Sequence, residues 1–281
     1  MTQSTPTEVN IMAFLEVNIY SEVLKMQMSV NVLLPQRTRG CIGIYEGEVP
    51  ATYPTLYLLH GMTDDHSTWM RRTTIETTAE QYGFAVVMPT TYLGWYTDMQ
   101  FGFKYRTFIG EELPKIMRQL FPAMSKRRED TYVAGNSMGG YGALKMALTY
   151  PETFSTALCL SAAFDPHWLP SLKNMRYCTD IFGDIDKLDG SENDLFYLAE
   201  KVKNSGGPVP TVWIWCGSED FLIEYNRKMR DHLTNLNYDL TYNESPGGHG
   251  WVCWEPQIRP MFWFIDERIA QREAQEAGEE K

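Results

Sequence analysis

Twenty residues constrain this chain more than any others: TYVAGNSMGGYGALKMALTY, Thr131 to Tyr150. The first six are β-branched, aromatic or small types that suit a buried strand. From Gly139 onward apolar residues recur at helical spacing. Between the two runs, Gly135, Gly139, Gly140 and Gly142 crowd around Ser137. A chain that passes from strand to helix in so few residues must bend sharply, and flanking side chains would collide in the bend. The pattern G-x-S-x-G in that context predicts a nucleophile elbow, with Ser137 strained and its Oγ exposed above a sheet. It also predicts Ser137 at a helix N-terminus, where backbone N–H groups stabilise negative charge. A plain glycine-rich turn has the same five letters, so the strand–turn–helix context carries the weight.

The rest of the chain supplies a sheet to hold that turn. AFLEVNIYS and MQMSVNVLLP alternate and predict an antiparallel pair at the start. TLYLLH (55–60), FAVVMP (84–89), STALCLS (155–161) and PTVWIWCG (210–217) are continuous apolar runs, the pattern of strands buried on both faces. YDLTYNES is the last strand. Helical spacing is read over 72–83, ending at Gly83, and over 105–122, where Pro114 suits an early turn or a kink. Further helices are read at 139–150, 221–236 and 251–277. Strands alternating with helices predict one α/β domain over residues 1–281, with a mostly parallel sheet. Residues 162–208 break the rhythm. A segment of that length predicts a part-helical cap over the carboxyl ends of the strands.

A nucleophilic serine needs a base, and the base needs an acid to orient it. In enzymes built on such an elbow the chain order is Ser, acid, His. Of the five histidines, His60 ends a strand, His66 lies in TDDHSTW, His167 lies in the cap segment and His232 falls inside an amphipathic helix. His249 follows the last strand, in the glycine-rich loop SPGGHGW, and is the predicted base. The acid is predicted at Asp220, with Glu219 second; both end the strand WIWCG, and Asp220 could equally be a helix N-cap. The two oxyanion donors are predicted as the backbone N–H groups of Met138 and Met62. Aromatic pocket walls are expected from Trp95, Tyr96, Trp168 and Trp251, residues that plain packing would also use. TDDH (63–66) reads as a solvated loop, because adjacent residues cannot all face one metal ion.

Composition excludes other classes. The formal net charge is −11, and the longest basic cluster, SKRRED, ends in its own acids. No basic stripe is available for nucleic acid. No apolar run approaches a membrane span. The five cysteines, Cys41, Cys159, Cys178, Cys216 and Cys253, have no zinc spacing. MTQSTPTEVN shows no leader pattern, so a reduced, cytoplasmic protein is expected. No metal or cofactor is called for.

The residues LLHGMTDDHSTW, GWYTDMQFGFKYRTFIGEELP, VAGNSMGGYGALKMAL, IFGDIDKLDGSENDLF, CGSEDFLIEYN and SPGGHGWVCW, in that order, resemble the esterase D and tributyrin esterase group of α/β-hydrolases, related to carbohydrate esterase family one. The resemblance runs from about residue 13 to 266. It implies Ser137, Asp220 and His249 as a catalytic triad, and Met62 and Met138 as oxyanion donors. It further implies small-molecule esters as substrates: short acyl esters, acetylated sugars or hydroxycinnamoyl (feruloyl) esters. Many such proteins are homo-oligomers. S-Formylglutathione hydrolases are similar, but their loop reads Gly-Leu-Thr-Cys where this chain has Gly61-Met62-Thr63-Asp64. An acyltransferase, or a binding protein that has lost its chemistry, are the competing functions.

Overall fold

The computed structural model describes residues 9–38, 51–171 and 177–279. Cys41, most of the stretch read above for a leader and part of the 162–208 segment lie outside the described residues.

The described residues contain eight strands: β1 Val9–Ser21, β2 Met26–Thr38, β3 Thr55–Leu59, β4 Ala85–Pro89, β5 Thr131–Asn136, β6 Thr156–Leu160, β7 Thr211–Gly217 and β8 Leu240–Ser245. They form one sheet in the order β1-β2-β4-β3-β5-β6-β7-β8. β1 and β2 pair antiparallel, as do β2 and β4, and every other pair is parallel. This is an α/β-hydrolase sheet. The chain goes from β3 outward to β4, then returns to β5 on the other side of β3. Connections therefore leave β3 and β5 in opposite directions, which opens a crevice at their carboxyl ends. The elbow sits at the end of β5, and the Gly61–Met62 loop follows β3.

Strands β3 to β6 are buried along their whole length. Their side chains feed two separate cores. Tyr57 and Leu59 join Val133, Cys159 and Ile214 under helices Leu113–Leu120, Met138–Thr149, Leu195–Lys203 and Ile223–Asn235. Leu56 and Leu58 join Ala134, Leu160 and Trp215 under Ile75–Tyr82 and Ile258–Glu279. Because both faces are covered, period-two alternation disappears and the strands read as unbroken apolar runs. Helix Ile75–Tyr82 stops at Gly83, whose φ of 71° turns its N–H back onto Ala79 and Glu80 carbonyls.

The helix read over 105–122 is not continuous. Tyr105–Thr107 is followed by a π turn, Phe108–Glu112, and only then by Leu113–Leu120. Pro114 is the physical reason: it lacks an N–H, and its ring would strike the carbonyl four residues back. A widened turn relieves both conflicts. The last helix is broken likewise, into Trp251–Trp254, a 3-10 turn Glu255–Gln257 containing Pro256, and Ile258–Glu279.

Within 162–208 the structure describes a 3-10 turn Pro166–Ser171, helix Tyr177–Phe182, a 3-10 turn Ile185–Lys187 and helix Leu195–Lys203. Buried polar groups fasten this segment to the elbow helix. Lys145 Nζ donates to Asn193 Oδ1, and to Thr97 Oγ1 at 2.9 Å. Tyr141 donates its hydroxyl to the Asn193 carbonyl at 2.9 Å. Arg106 joins Glu192 to Asp98. Burial first, and repulsion from Arg106 second, push the Lys145 amine well below its ordinary pKa.

Candidate active site

The bend at Ser137 is as tight as the glycines suggested. Ser137 has φ 54° and ψ −117°, a conformation that L residues rarely adopt. A Cβ on Gly135 would lie 2.4 Å from the Gly139 backbone, and one on Gly139 would lie 2.3 Å from the Leu59 carbonyl oxygen. The glycines are needed for close approach between backbones, since neither has positive φ. Three hydrogen bonds hold the strain. Ser137 N–H donates to the Leu160 carbonyl at 2.9 Å, and Tyr141 and Ala163 N–H groups both donate to the Ser137 carbonyl at 3.1 Å.

The sheet order brings three separated residues together. His249 Nε2 lies 2.9 Å from Ser137 Oγ. His249 Nδ1 lies 2.9 Å from Asp220 Oδ2 and 3.0 Å from Oδ1. The Asp220 side chain is fully buried and that of His249 is 18% exposed. Asp220 Oδ1 also accepts the Leu222 N–H at 2.8 Å, so the residue caps the following turn as well as facing the imidazole. Burial disfavours its charge, but the hydrogen bonds from His249 and the Leu222 N–H outweigh it and hold the carboxyl below its usual range. Glu219, the alternative acid, is exposed. A buried anion on Nδ1 leaves Nε2 free to accept a proton, so the arrangement can draw the proton from Ser137.

Met138 begins the helix after the elbow and is wholly buried; Met62 is half-buried in the turn after β3. The contact of Gly139 with the Leu59 and His60 carbonyls brings these two backbones side by side. His60 braces that loop. Its Nδ1 lies 2.7 Å from the Gly61 carbonyl, its Nε2 accepts the Thr91 N–H at 3.0 Å, and its own carbonyl accepts the Tyr96 hydroxyl at 2.8 Å. Both ring nitrogens are used only if the ring is neutral with the proton on Nδ1. Burial accordingly pushes its pKa down to about 4. The unfolded chain takes up that proton near the ordinary histidine value of about 6.5. Stability from neutral His60 is therefore complete above pH 6.5 and drains away as pH falls towards 4, by roughly 3 kcal/mol in all. Urea unfolding of wild type and His60→Gln between pH 7 and 4 checks this. The wild type should lose more stability over that window, and parallel curves would refute the assignment.

The predicted pocket aromatics separate into different places. Tyr96 is fully buried, with its ring against Gly142. Trp251 makes edge contacts with Trp69 and Trp254, in the core on the opposite face of the sheet from the cap segment. Trp95 is buried between Tyr141, Phe182 and Trp168. Trp168 in turn meets Phe221 at 5.8 Å between ring centroids, and Phe221 lies 4.6 Å from the His249 ring. Phe221 was not anticipated. It is 61% exposed although it touches the imidazole. The one signal for it in the sequence is its place directly after Asp220.

The remaining histidines serve the scaffold. His66 Nδ1 pairs with Thr90 Oγ1, His167 with Asp165, and His232 Nε2 with the Phe196 carbonyl. In TDDH, Asp65 accepts from the Ser67 backbone and hydroxyl. Among the described residues no three His, Cys, Asp or Glu gather as metal ligands, and no helix is long and apolar enough to cross a membrane.

Known proteins extend these observations. The Esterase family model matches residues 21–265. An acetyl esterase from Caldicellulosiruptor saccharolyticus is 33% identical, the match covering 90% of this chain and 98% of that one. Among solved structures, FphF, a fluorophosphonate-binding serine hydrolase of Staphylococcus aureus, superposes with a TM-score of 0.82 at 32% identity, over 91% of this chain and 99% of that one. The S-formylglutathione hydrolase FrmB from Staphylococcus aureus gives 0.80 at 32% identity over the same shares. A strained serine facing an imidazole on an α/β-hydrolase sheet and a family match over most of the sequence lead to one conclusion: the chain belongs to the Esterase family and is a serine hydrolase of carboxylic esters.

Proposed function

We propose that the chain hydrolyses short-chain acyl esters, acetyl to butyryl, through an acyl-enzyme on Ser137. The observation that carries this reading is the unbroken contact from Ser137 Oγ to His249 to Asp220, with both bonds at 2.9 Å. His249 Nε2 takes the hydroxyl proton as Oγ bonds to the ester carbonyl carbon. The Asp220 carboxylate balances the imidazolium, and the Met62 and Met138 N–H groups receive the oxyanion. The imidazolium returns the proton to the departing alkoxide, leaving acyl-Ser137. Water then attacks with His249 as base and releases the acid. The likeness to the acetyl esterase supports a small acyl group. Residues 162–208 act as a cap over this site, and the four free cysteines among the described residues suit a reducing, cytoplasmic setting.

Stopped-flow mixing with p-nitrophenyl acetate tests the pathway. One p-nitrophenol per active site should appear in a burst before steady turnover when deacylation is the slower step. Free acid should remain the product when an alcohol is added; transfer of the acyl group to that alcohol would mark an acyltransferase instead. The likeness to FrmB favours a second reading, a thioesterase acting on S-formylglutathione. Comparing kcat/KM for that thioester with p-nitrophenyl acetate decides between them.

Phe221 presents an uncovered ring beside the base, in line with Trp168. It is placed to stack on an aromatic part of a substrate, as in a hydroxycinnamoyl ester. Phe221→Ala should raise KM for methyl ferulate by about three- to tenfold, with a smaller change for ethyl acetate. Equal changes for both esters would remove Phe221 from aromatic recognition.

A further inference from the structure

Between β4 and Tyr105 the backbone is strained at three residues: Tyr92 has φ 48°, Trp95 φ 51° and Tyr96 φ 52°. Residues with a bulky side chain rarely adopt such values, and they persist only where the surroundings over-determine them. Here the loop is tied along its length. Gly94 N–H donates to the Thr91 carbonyl at 2.9 Å, Thr97 N–H to the Gly94 carbonyl at 3.0 Å, and Tyr105 N–H to the Thr97 carbonyl at 3.1 Å. The Thr97 hydroxyl donates to the Trp95 carbonyl at 3.0 Å and accepts from Lys145 Nζ at 2.9 Å. Lysine is seldom wholly buried, yet Lys145 is, and it anchors this strained loop to the elbow helix.

The strain puts Tyr96 in one place. Its ring lies on Gly142 of the elbow helix, where an added Cβ would be 2.3 Å from it. Its hydroxyl donates to the His60 carbonyl at 2.8 Å. Burial raises the phenol pKa, so the hydroxyl stays protonated and remains a donor. The acceptor sits at a junction. His60 is two residues before Met62. The same carbonyl oxygen would be 2.7 Å from a Cβ on Gly139, the residue directly after Met138. The two backbones that carry the Met62 and Met138 N–H groups therefore meet at this oxygen, and the Tyr96 hydroxyl is bonded to it.

We infer that Tyr96 is a positioning residue, whose hydroxyl, held by the strained loop and Lys145, fixes the His60 carbonyl and so sets the spacing of the Met62 and Met138 N–H groups. The inference rests on the oxyanion roles proposed above for those two groups. Tyr96 then acts on the transition state, where the oxyanion forms, and not on the bound ester.

The experiment is steady-state hydrolysis of p-nitrophenyl acetate and butyrate by wild type, Tyr96→Phe, Thr97→Val and Ser137→Ala, with thermal melts of each. Beside it, the inhibition constant of a trifluoromethyl ketone is measured, because its adduct with a serine carries an oxyanion. Removing one oxyanion donor outright costs about a hundred- to a thousandfold, and misplacing it costs less. Tyr96→Phe should therefore lower kcat roughly tenfold for both esters, with KM within about twofold. Inhibitor affinity should fall by the same factor as kcat/KM. Thr97→Val leaves the Tyr96 hydroxyl in place but takes the acceptor from Lys145, and should give a smaller loss in the same proportion. An unchanged kcat in Tyr96→Phe would overturn the inference. So would a lower kcat with inhibitor affinity unchanged, since that marks a general loss of structure. A raised KM with kcat intact would make Tyr96 a pocket wall instead. If Tyr96→Phe shows no cooperative melt, Thr97→Val decides by the same readings. If Ser137→Ala were as active as wild type, the reading of the whole site would fail. An inactive Ser137→Ala beside a fully active Tyr96→Phe would sink this inference alone.

Discussion

Ser137→Ala should lower kcat for p-nitrophenyl acetate by roughly a millionfold while leaving the fold intact. The loss is large because attack, proton transfer and the acyl-enzyme all pass through one oxygen. Oγ is 2.9 Å from His249 Nε2, and among the described residues no other hydroxyl is hydrogen-bonded to that nitrogen. The fold should survive because alanine keeps the Cβ and the backbone bonds from Ser137 to Leu160, Tyr141 and Ala163. The strain at φ 54° is the same for both residues, so thermal melts should nearly coincide. Measured turnover, with a fluorophosphonate probe to count reactive serines, checks this. A mutant that still labels and turns over would place the nucleophile elsewhere.

Asp220→Asn is the second large effect, about ten-thousandfold in kcat. The carboxylate only accepts, so it fixes the Nδ1–H tautomer of His249. An asparagine amide turned towards Nδ1 donates instead and drives the proton to Nε2. That nitrogen then faces Ser137 as a donor and cannot act as base. Shape is conserved, and the Leu222 N–H keeps its oxygen acceptor. Glu219→Gln is the control: Glu219 is exposed, and its replacement should leave the rate within about twofold. Equal losses from both substitutions would mean that charge in the loop matters and the hydrogen bond to His249 does not.

Much of this site is legible in the sequence. An elbow is a local object: one turn needs glycine on both sides of Ser137 because backbones approach within one strand–helix unit, and spacing reports that directly. His249 is legible through chain order and a glycine-rich loop. Local reasoning stops where partners are distant. Asp220 and Glu219 are neighbours with the same charge, and nothing in their order says which is buried. The aromatic walls show the limit more sharply. Tyr96 fills a gap above Gly142, and Trp251 packs on the far face against Trp69. Phe221, which looked like the start of a helix, lies on the imidazole. An aromatic ring suits a core and a pocket equally, so residue type alone cannot sort one from the other. The π turn at Phe108–Glu112 was hidden for a related reason. Proline forbids a regular turn, but the neighbours decide whether the chain stops, kinks or widens.

The order of residues was enough to specify an α/β sheet, an elbow serine, and a histidine and an acid that follow it in sequence. Those are properties of short segments, set by side-chain periodicity and by glycine. The meeting of Ser137 and His249 across 112 positions and the choice of Asp220 depend on the crossing from β4 back to β5 and on which loops then share one edge of the sheet. Packing makes that selection, because a buried carboxylate and a strained serine are tolerated only where many distant contacts hold them at once.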